Sequence, residues 1–287
     1  MTYKAAAAGL PLGGGKGLVV ADPRTDKTEA MFRSYGRFVN TLGGRYITTE
    51  DVGATATEMA WIAKETKYVV GLPESMGGSG NPAVVTGYGL FQAMRACAEA
   101  RWGSDSLADR TVAMQGFGNV ANSLSTYLLE AGAKLVVADI FDGPLVKAAA
   151  MNGVRVVPPD AIYDVEADIF APCALGGTIN RDTIPRIKAP IICGAANNQL
   201  REPADAQLLK DRGVFYAPDY IVNAGGVINV YFEYAGPYRR DVAMAKASEI
   251  HDTTARILQR SAEEGITTVQ AAEELAEQRI AAGRVLP

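Results

Sequence analysis

Thr111-Val112-Ala113-Met114-Gln115-Gly116-Phe117-Gly118-Asn119-Val120-Ala121 decides the fold of this 287-residue chain. Val112-Ala113-Met114 is a short apolar run, and Gly116-x-Gly118-x-x-Ala121 leads from it into helical spacing over 120–131. Strand, glycine turn and helix in that order make a cradle for a dinucleotide. The first glycine permits the tight turn and the second lets the backbone approach a pyrophosphate. The small third residue lets helix and strand pack closely. The helix start offers free N–H groups and a positive dipole end to phosphate oxygens. A second apolar run, 134–139, ends in Asp139. At that distance a carboxylate accepts hydrogen bonds from an adenosine ribose and repels a 2′-phosphate, so NAD is expected rather than NADP.

The same rhythm continues outward. Apolar runs at 154–157, 169–171, 191–193 and 214–216 read as buried strands separated by helices, the pattern of a mostly parallel sheet covered on both faces. A helix over 84–100 precedes the unit, and amphipathic stretches 243–262 and 269–282 follow it. Nearer the start, 17–21 and 45–48 read as strands around a helix over 28–42, with Met31, Tyr35, Phe38, Val39 and Leu42 on one face. Segment 71–82 is glycine-rich without apolar period, as a hinge or cleft-lining loop would be. The expected class is α/β: a C-terminal Rossmann-type doubly wound parallel sheet with a smaller α/β substrate domain. The expected division is 1–78 for the substrate and catalytic domain and 79–240 for the NAD-binding Rossmann domain. Residues 241–287 would be helices packing back toward the first domain.

Bulk properties exclude several classes. A formal charge of −4 with no basic block argues against nucleic acid or an anionic membrane as partner. No apolar run approaches the ~20 residues that span a bilayer. Residues 5–12 behind Lys4 mimic a secretory leader, but Gly9 and Pro11 break them, and a cytoplasmic location is expected. Three cysteines without a C-x-x-C suit a reducing compartment. A single histidine, His251, offers one possible base with no G-x-S-x-G nucleophile to serve, and with three scattered cysteines it makes no zinc set, so no metal is expected.

Two lysines, Lys4 and Lys16, fall in one short segment, the second behind Leu12-Gly13-Gly14-Gly15. This is not a P-loop, since Leu10 and Gly17 stand where that motif needs glycine and Ser/Thr. A flexible turn with a solvated lysine is one reading. The other is a lysine lowered in pKa by a second cation and by desolvation, and so usable as a general base, with Asp51 in Thr49-Glu50-Asp51 as its carboxylate. Three loops rich in Gly and Asn (171–177, 194–199 and 218–226) follow short apolar runs, where ligands bind in open parallel sheets. Capping and tight turns would use the same residues.

Blocks over nearly the whole chain resemble the glutamate/leucine/phenylalanine/valine dehydrogenase family, nearest to its branched-chain and aromatic amino-acid dehydrogenases. They are MTYKAAAAGLPLGGGKG, GRYITTEDVG, GFGNVA with VVADI, DIFAPCALGGTIN, GAANNQL and YAPDYIVNAGGVINV. The resemblance implies that Lys4 holds the substrate carboxylate, Lys16 is the general base, Asp51 is the catalytic aspartate and Asn223 lies near the substrate amine. It implies cofactor contacts from Gly116, Gly118, Asn119, Val120, Asp139, Ile140, Cys173, Ala174, Ala195, Asn197 and Asn223. Thr49 would stand beside the substrate side chain, where relatives often carry a smaller residue. The implied reaction is reversible NAD-dependent oxidative deamination of a hydrophobic L-amino acid to the 2-oxo acid and ammonia, by a homo-oligomer if the usual leading segment is present. Family members normally carry several dozen residues before MTYK, so the substrate domain reads as truncated. The alternatives are a catalytically silent NAD-binding chain, a glutamate-type enzyme and a Rossmann oxidoreductase of another class.

Overall fold

A computed structural model describes residues 1–283. Before the dinucleotide unit come α1 (Thr2–Ala7), α2 (Glu29–Thr41), α3 (Ala56–Ala63), a 3-10 turn at Glu74–Met76 and α4 (Ala83–Trp102). The unit is β1 (Thr111–Gln115), α5 (Asn119–Glu130) and β2 (Lys134–Ala138). There follow α6 (Asp142–Ala149), β3 (Val154–Val156), a 3-10 turn at Pro159–Asp164, β4 (Ile169–Pro172), β5 (Ile191–Ile192), α7 (Asp205–Asp211) and β6 (Phe215–Tyr216). Then come α8 (Asp219–Val222), α9 (Gly225–Tyr234), α10 (Arg240–Ser248), α11 (Ile250–Glu264) and α12 (Thr268–Gly283).

The strands form one parallel sheet in the order β3-β2-β1-β4-β5-β6. This is the doubly wound order, and its direction reverses between β1 and β4, which opens a crevice beyond their carboxyl ends. Alternate residues point to opposite faces. Val112, Met114, Leu135, Val137, Ile169 and Ile191 join the large core under α4, α5 and the C-terminal helices. Ala113, Val136, Phe170 and Ile192 join a second core with Ile162, Ile184 and Leu209. Strands buried on both faces have continuous apolar sequences, which is why the runs stand out without alternation.

The first seventy residues are built differently. Thr28 caps α2 by accepting the Met31 N–H at 3.2 Å, and Thr55 with Glu58 forms a reciprocal capping box on α3. Phe32, Met59, Ile62 and Val69 make a small separate core there. The strand expected at 17–21 does not form: Leu18 is 86% and Val20 94% exposed. The strand expected at 45–48 shrinks to one bridge, Thr48 to Val69. Apolar character alone does not make a strand, because its N–H and C=O groups need a ladder partner. The helix expected over 243–262 is broken at Glu249, where the Ser248 hydroxyl bonds back to Ala245 O, a contact that bends helices.

The segment 71–79 between the small core and α4 is pinned from α9. The Glu233 carboxylate accepts the N–H groups of Gly71, Leu72 and Ser79 at 2.9, 3.2 and 2.7 Å. Arg240 adds an ion pair to Glu74. Cys97 and Cys193, distant in sequence, meet inside the large core with no exposure, and burial drives the Cys193 thiol well up. Among the described residues no helix is long and apolar enough to cross a membrane.

Candidate active site

The glycine run before Lys16 is shaped by its neighbours. A Cβ at Gly14 would run into the backbone of Met1 and Thr2, and one at Gly17 into the Tyr35 hydroxyl. The Gly17 N–H donates to the Tyr46 hydroxyl at 2.9 Å. Glycines at 14, 15 and 17 let this loop lie close to α1 and two tyrosines, although the loop itself stays exposed to solvent. Lys16 emerges from it to form an ion pair with Asp51, with side chains 58% and 43% exposed.

That pair lines a cleft of about 680 Å³. Thr49, Tyr35 and Met59 form one wall, and Val227, Val230, Tyr231 and Tyr234 of α9 form the other. Two other basic side chains lining it are already engaged: Lys27 pairs with Glu58 at 2.8 Å, and Arg45 Nε donates to Leu42 O at 3.2 Å. The Thr49 hydroxyl is buried without a hydrogen-bond partner. Next to it, the Glu50 carboxyl is pushed up to about 7 by burial and by the charges of Glu58 and Glu233.

Lys4 belongs to a second constellation, at the ends of β5 and β6. Its Nζ donates to Asn197 Oδ1 at 3.1 Å. Asn223 Nδ2 donates to the same atom at 2.8 Å and to Ala195 O at 3.0 Å. The Asn223 Oδ1 is buried and unpartnered, an acceptor with nothing to accept. Burial pushes the Lys4 ammonium down to about 8, with Asp219 opposing and Lys16 adding to the shift. The loop that presents Asn197 is held by Gln199, which is fully buried and donates to Gly194 O and Ala196 O at 2.7 and 2.9 Å. Asn198, at φ 52°, gives its N–H to Asp219. The sequence reading quoted Gln199 but gave it no role; a fully buried amide is visible only in the fold.

The third constellation is the glycine turn. Gly116 has φ 92°, and a Cβ there would press on Ala174 at 2.8–2.9 Å. Gly118 N-caps α5 with no side-chain cap, and open space lies where its Cβ would stand, next to Asn119 and Val120. Asp139 accepts the N–H of Phe117 at 2.7 Å and of Phe141 at 2.9 Å. It therefore ties the turn to the end of β2. Across the sheet reversal, Cys173 donates its N–H to Gln115 O at 2.7 Å, and burial raises its thiol to about 11. Ile140 is 75% exposed at the lip. A bare helix start, a glycine-floored cradle and a carboxylate at the next strand end suit a dinucleotide. Lys4 and Lys16 lie close enough that the charge of Lys16 helps lower Lys4, and both help lower the Met1 ammonium.

Family models match on both sides of this cleft. The model of the Glu/Leu/Phe/Val dehydrogenase dimerisation domain covers residues 1–68. The glutamate/leucine/phenylalanine/valine dehydrogenase model covers 77–149 and 141–285. The chain belongs to this family. It is thus an oxidoreductase of the amino-acid dehydrogenase class. It is 51% identical over 280 residues to leucine dehydrogenase of Geobacillus stearothermophilus, covering 98% of this chain and 76% of that one. It is 46% identical over 290 residues to valine dehydrogenase of Streptomyces coelicolor, covering 100% of this chain and 79% of that one. The crystal structure of L-tryptophan dehydrogenase from Nostoc punctiforme superposes with a TM-score of 0.82 at 44% identity, covering 99% of this chain and 80% of that one.

Proposed function

We propose that this dehydrogenase carries out the reversible NAD-dependent oxidative deamination of a hydrophobic L-amino acid, giving the 2-oxo acid and ammonia. The observation that carries the reading is the Lys16–Asp51 ion pair set in a cleft whose facing wall is the apolar side of α9. Relatives that act by name on leucine, valine and tryptophan support the substrate class.

Lys4 holds the substrate carboxylate through its ammonium. The unpartnered Asn223 Oδ1 takes an N–H of the substrate amine. Val227 and Val230 receive the side chain, and Thr49 limits its width. A bound NAD⁺ would supply the two-electron acceptor for the Cα–H bond. Lys16 takes a proton from the water that adds to the resulting imine carbon, and Asp51 keeps its Nζ in place. Gly116, Gly118, Asn119, Val120 and Ala174 would cradle the cofactor, with Asp139 and Ile140 at its ribose and Cys173, Ala195 and Asn197 toward its nicotinamide. Asp139 favours NAD over NADP through its charge.

By this reading residues 1–78 supply the substrate chemistry and 79–240 the cofactor cradle, while α1 rests on α12 (Thr268–Gly283) of the C-terminal part. A homo-oligomer is inferred from the dimerisation-domain match. The unpaired thiols fit a cytoplasmic setting.

The test is NADH formation by the purified chain with Leu, Val, Ile, Phe, Trp and Glu, repeated with NADP⁺. Turnover of the apolar substrates, abolished in Lys16→Ala while NAD binding persists by calorimetry, is the expected result. Turnover of glutamate alone, or full activity in Lys16→Ala, would overturn the reading.

A further inference from the structure

Lys4 sits on a helix that cannot hold itself. α1 has six residues and no side-chain N-cap, far short of the roughly 12–15 residues at which isolated helices become even marginal in water. Its position must come from outside, and the outside element is α12. The Tyr3 hydroxyl donates to Glu277 Oε1 at 2.7 Å. The Arg279 guanidinium donates to Ala6 O at 3.2 Å and to Ala7 O. Tyr3 and Ala7, four residues apart, share a helix face, so α12 grips α1 on both sides of Lys4. The arginine also adds a donor to the Ala7 carbonyl and a second one to the Ala6 carbonyl, which already accepts the Gly9 N–H, at a helix end where a cation suits the dipole. Ala5, Ala6 and Ala7 are buried beside Ala271, Ala272 and Ala276 of α12 in the large core. Small residues on both helices allow that close approach.

We propose that Glu277 and Arg279 are positioning residues for the substrate carboxylate. By fixing both ends of α1 they set where the Lys4 ammonium stands relative to Asn197 and Asn223. The proposal rests on the reading of Lys4 as the carboxylate holder. It adds that this function is controlled from a helix more than 270 positions away in sequence.

The experiment is calorimetric titration of the NADH-saturated chain with the 2-oxo acid of leucine, for the wild type, Lys4→Ala, Arg279→Ala, Arg279→Lys and the Lys4→Ala/Arg279→Ala double variant. Arg279→Ala should weaken 2-oxo acid binding about tenfold, as loss of a charge-assisted contact does, with NADH affinity unchanged. Arg279→Lys should restore part of it. The double variant should bind no worse than Lys4→Ala, since the arginine acts only through that ammonium. If Lys4→Ala weakens binding and Arg279→Ala does not, the positioning role is wrong and the reading of Lys4 stands. Additive losses in the double variant would also sink the role. If Lys4→Ala changes nothing, the reading of Lys4 falls and the proposal with it. Should Arg279→Ala not fold, Tyr3→Phe removes one oxygen, and an unchanged 2-oxo acid affinity there would overturn the proposal.

Discussion

Lys4 and Asn223 are coupled through a single atom, Asn197 Oδ1, which accepts from the lysine at 3.1 Å and from the amide at 2.8 Å. In the proposed reading, a substrate carboxylate at Lys4 would meet an ammonium already donating to the atom that also holds the Asn223 amide, so the two proposed substrate contacts share one anchor.

The coupling has a pH signature. Lys4 is lowered to about 8, mainly by burial, and only its ammonium form attracts a carboxylate. Affinity for a 2-oxo acid should hold below pH 8 and fall about tenfold per unit above it, as the proton leaves. Lys4→Arg should abolish the fall. A wild-type affinity that is flat from pH 7 to roughly 9.5 would contradict this, since over that range a group with the cited pKa must discharge.

Glu50 makes the opposite kind of contribution. Its carboxyl is raised to about 7, above the value of 4.5 it returns to on unfolding. The folded state therefore prefers it protonated. The stability it contributes is fully present below pH 4.5 and is lost as pH rises through 7. Thermal unfolding of the wild type should drop between pH 5 and 8 by more than that of Glu50→Gln. Parallel melting curves for the two proteins over that window would refute the assignment.

Glu233 should be structurally expensive to lose. Glu233→Ala leaves the N–H groups of Gly71, Leu72 and Ser79 without their acceptor. A cost of about 3 kcal/mol is expected, from the usual penalty for unsatisfied backbone donors. Denaturant titration measures it. The same substitution removes one of the charges that raise Glu50, so the pH dependence above should flatten.

The glycine turn joins cofactor binding to folding, and Asp139 offers a way to separate them. Gly116→Ala places a Cβ against Ala174 at a φ of 92°, and should abolish NAD binding and lower stability together. Asp139→Ser keeps the turn, loses the carboxylate that holds two N–H groups, and should improve use of NADP⁺ relative to NAD⁺. Initial rates with both cofactors decide it.

Much of this was legible in the sequence because it rested on local rules. The β1–α5–β2 unit announces itself through glycine spacing and apolar runs, and the runs are continuous because both faces of the sheet are covered. The capping box Thr55-x-x-Glu58 was equally readable, yet α3 went unrecognised beside stronger signals. What could not be read is what depends on partners distant in the chain. Residues 17–21 have strand composition and no ladder. Glu233, Gln199 and Arg279 look like surface polar residues until the fold places backbone groups in front of them. Lys16 and Asp51 are paired in the sequence by residue chemistry as well as by resemblance, and the structure brings their side chains into contact.

The meeting of Cys97 and Cys193 inside the core gives the molecule an internal clock. Neither sulfur has any exposure, so a water-soluble thiol reagent reaches them only when the core itself opens. Under conditions where reclosing outpaces labelling, their modification rate divided by that of the same thiols in denatured protein reports the opening equilibrium directly. Cys173, partly buried where it packs against that core, gives a separate trace for motion at the mouth of the crevice. One reagent and one time course would then resolve local breathing from global unfolding, with no probe added to the chain.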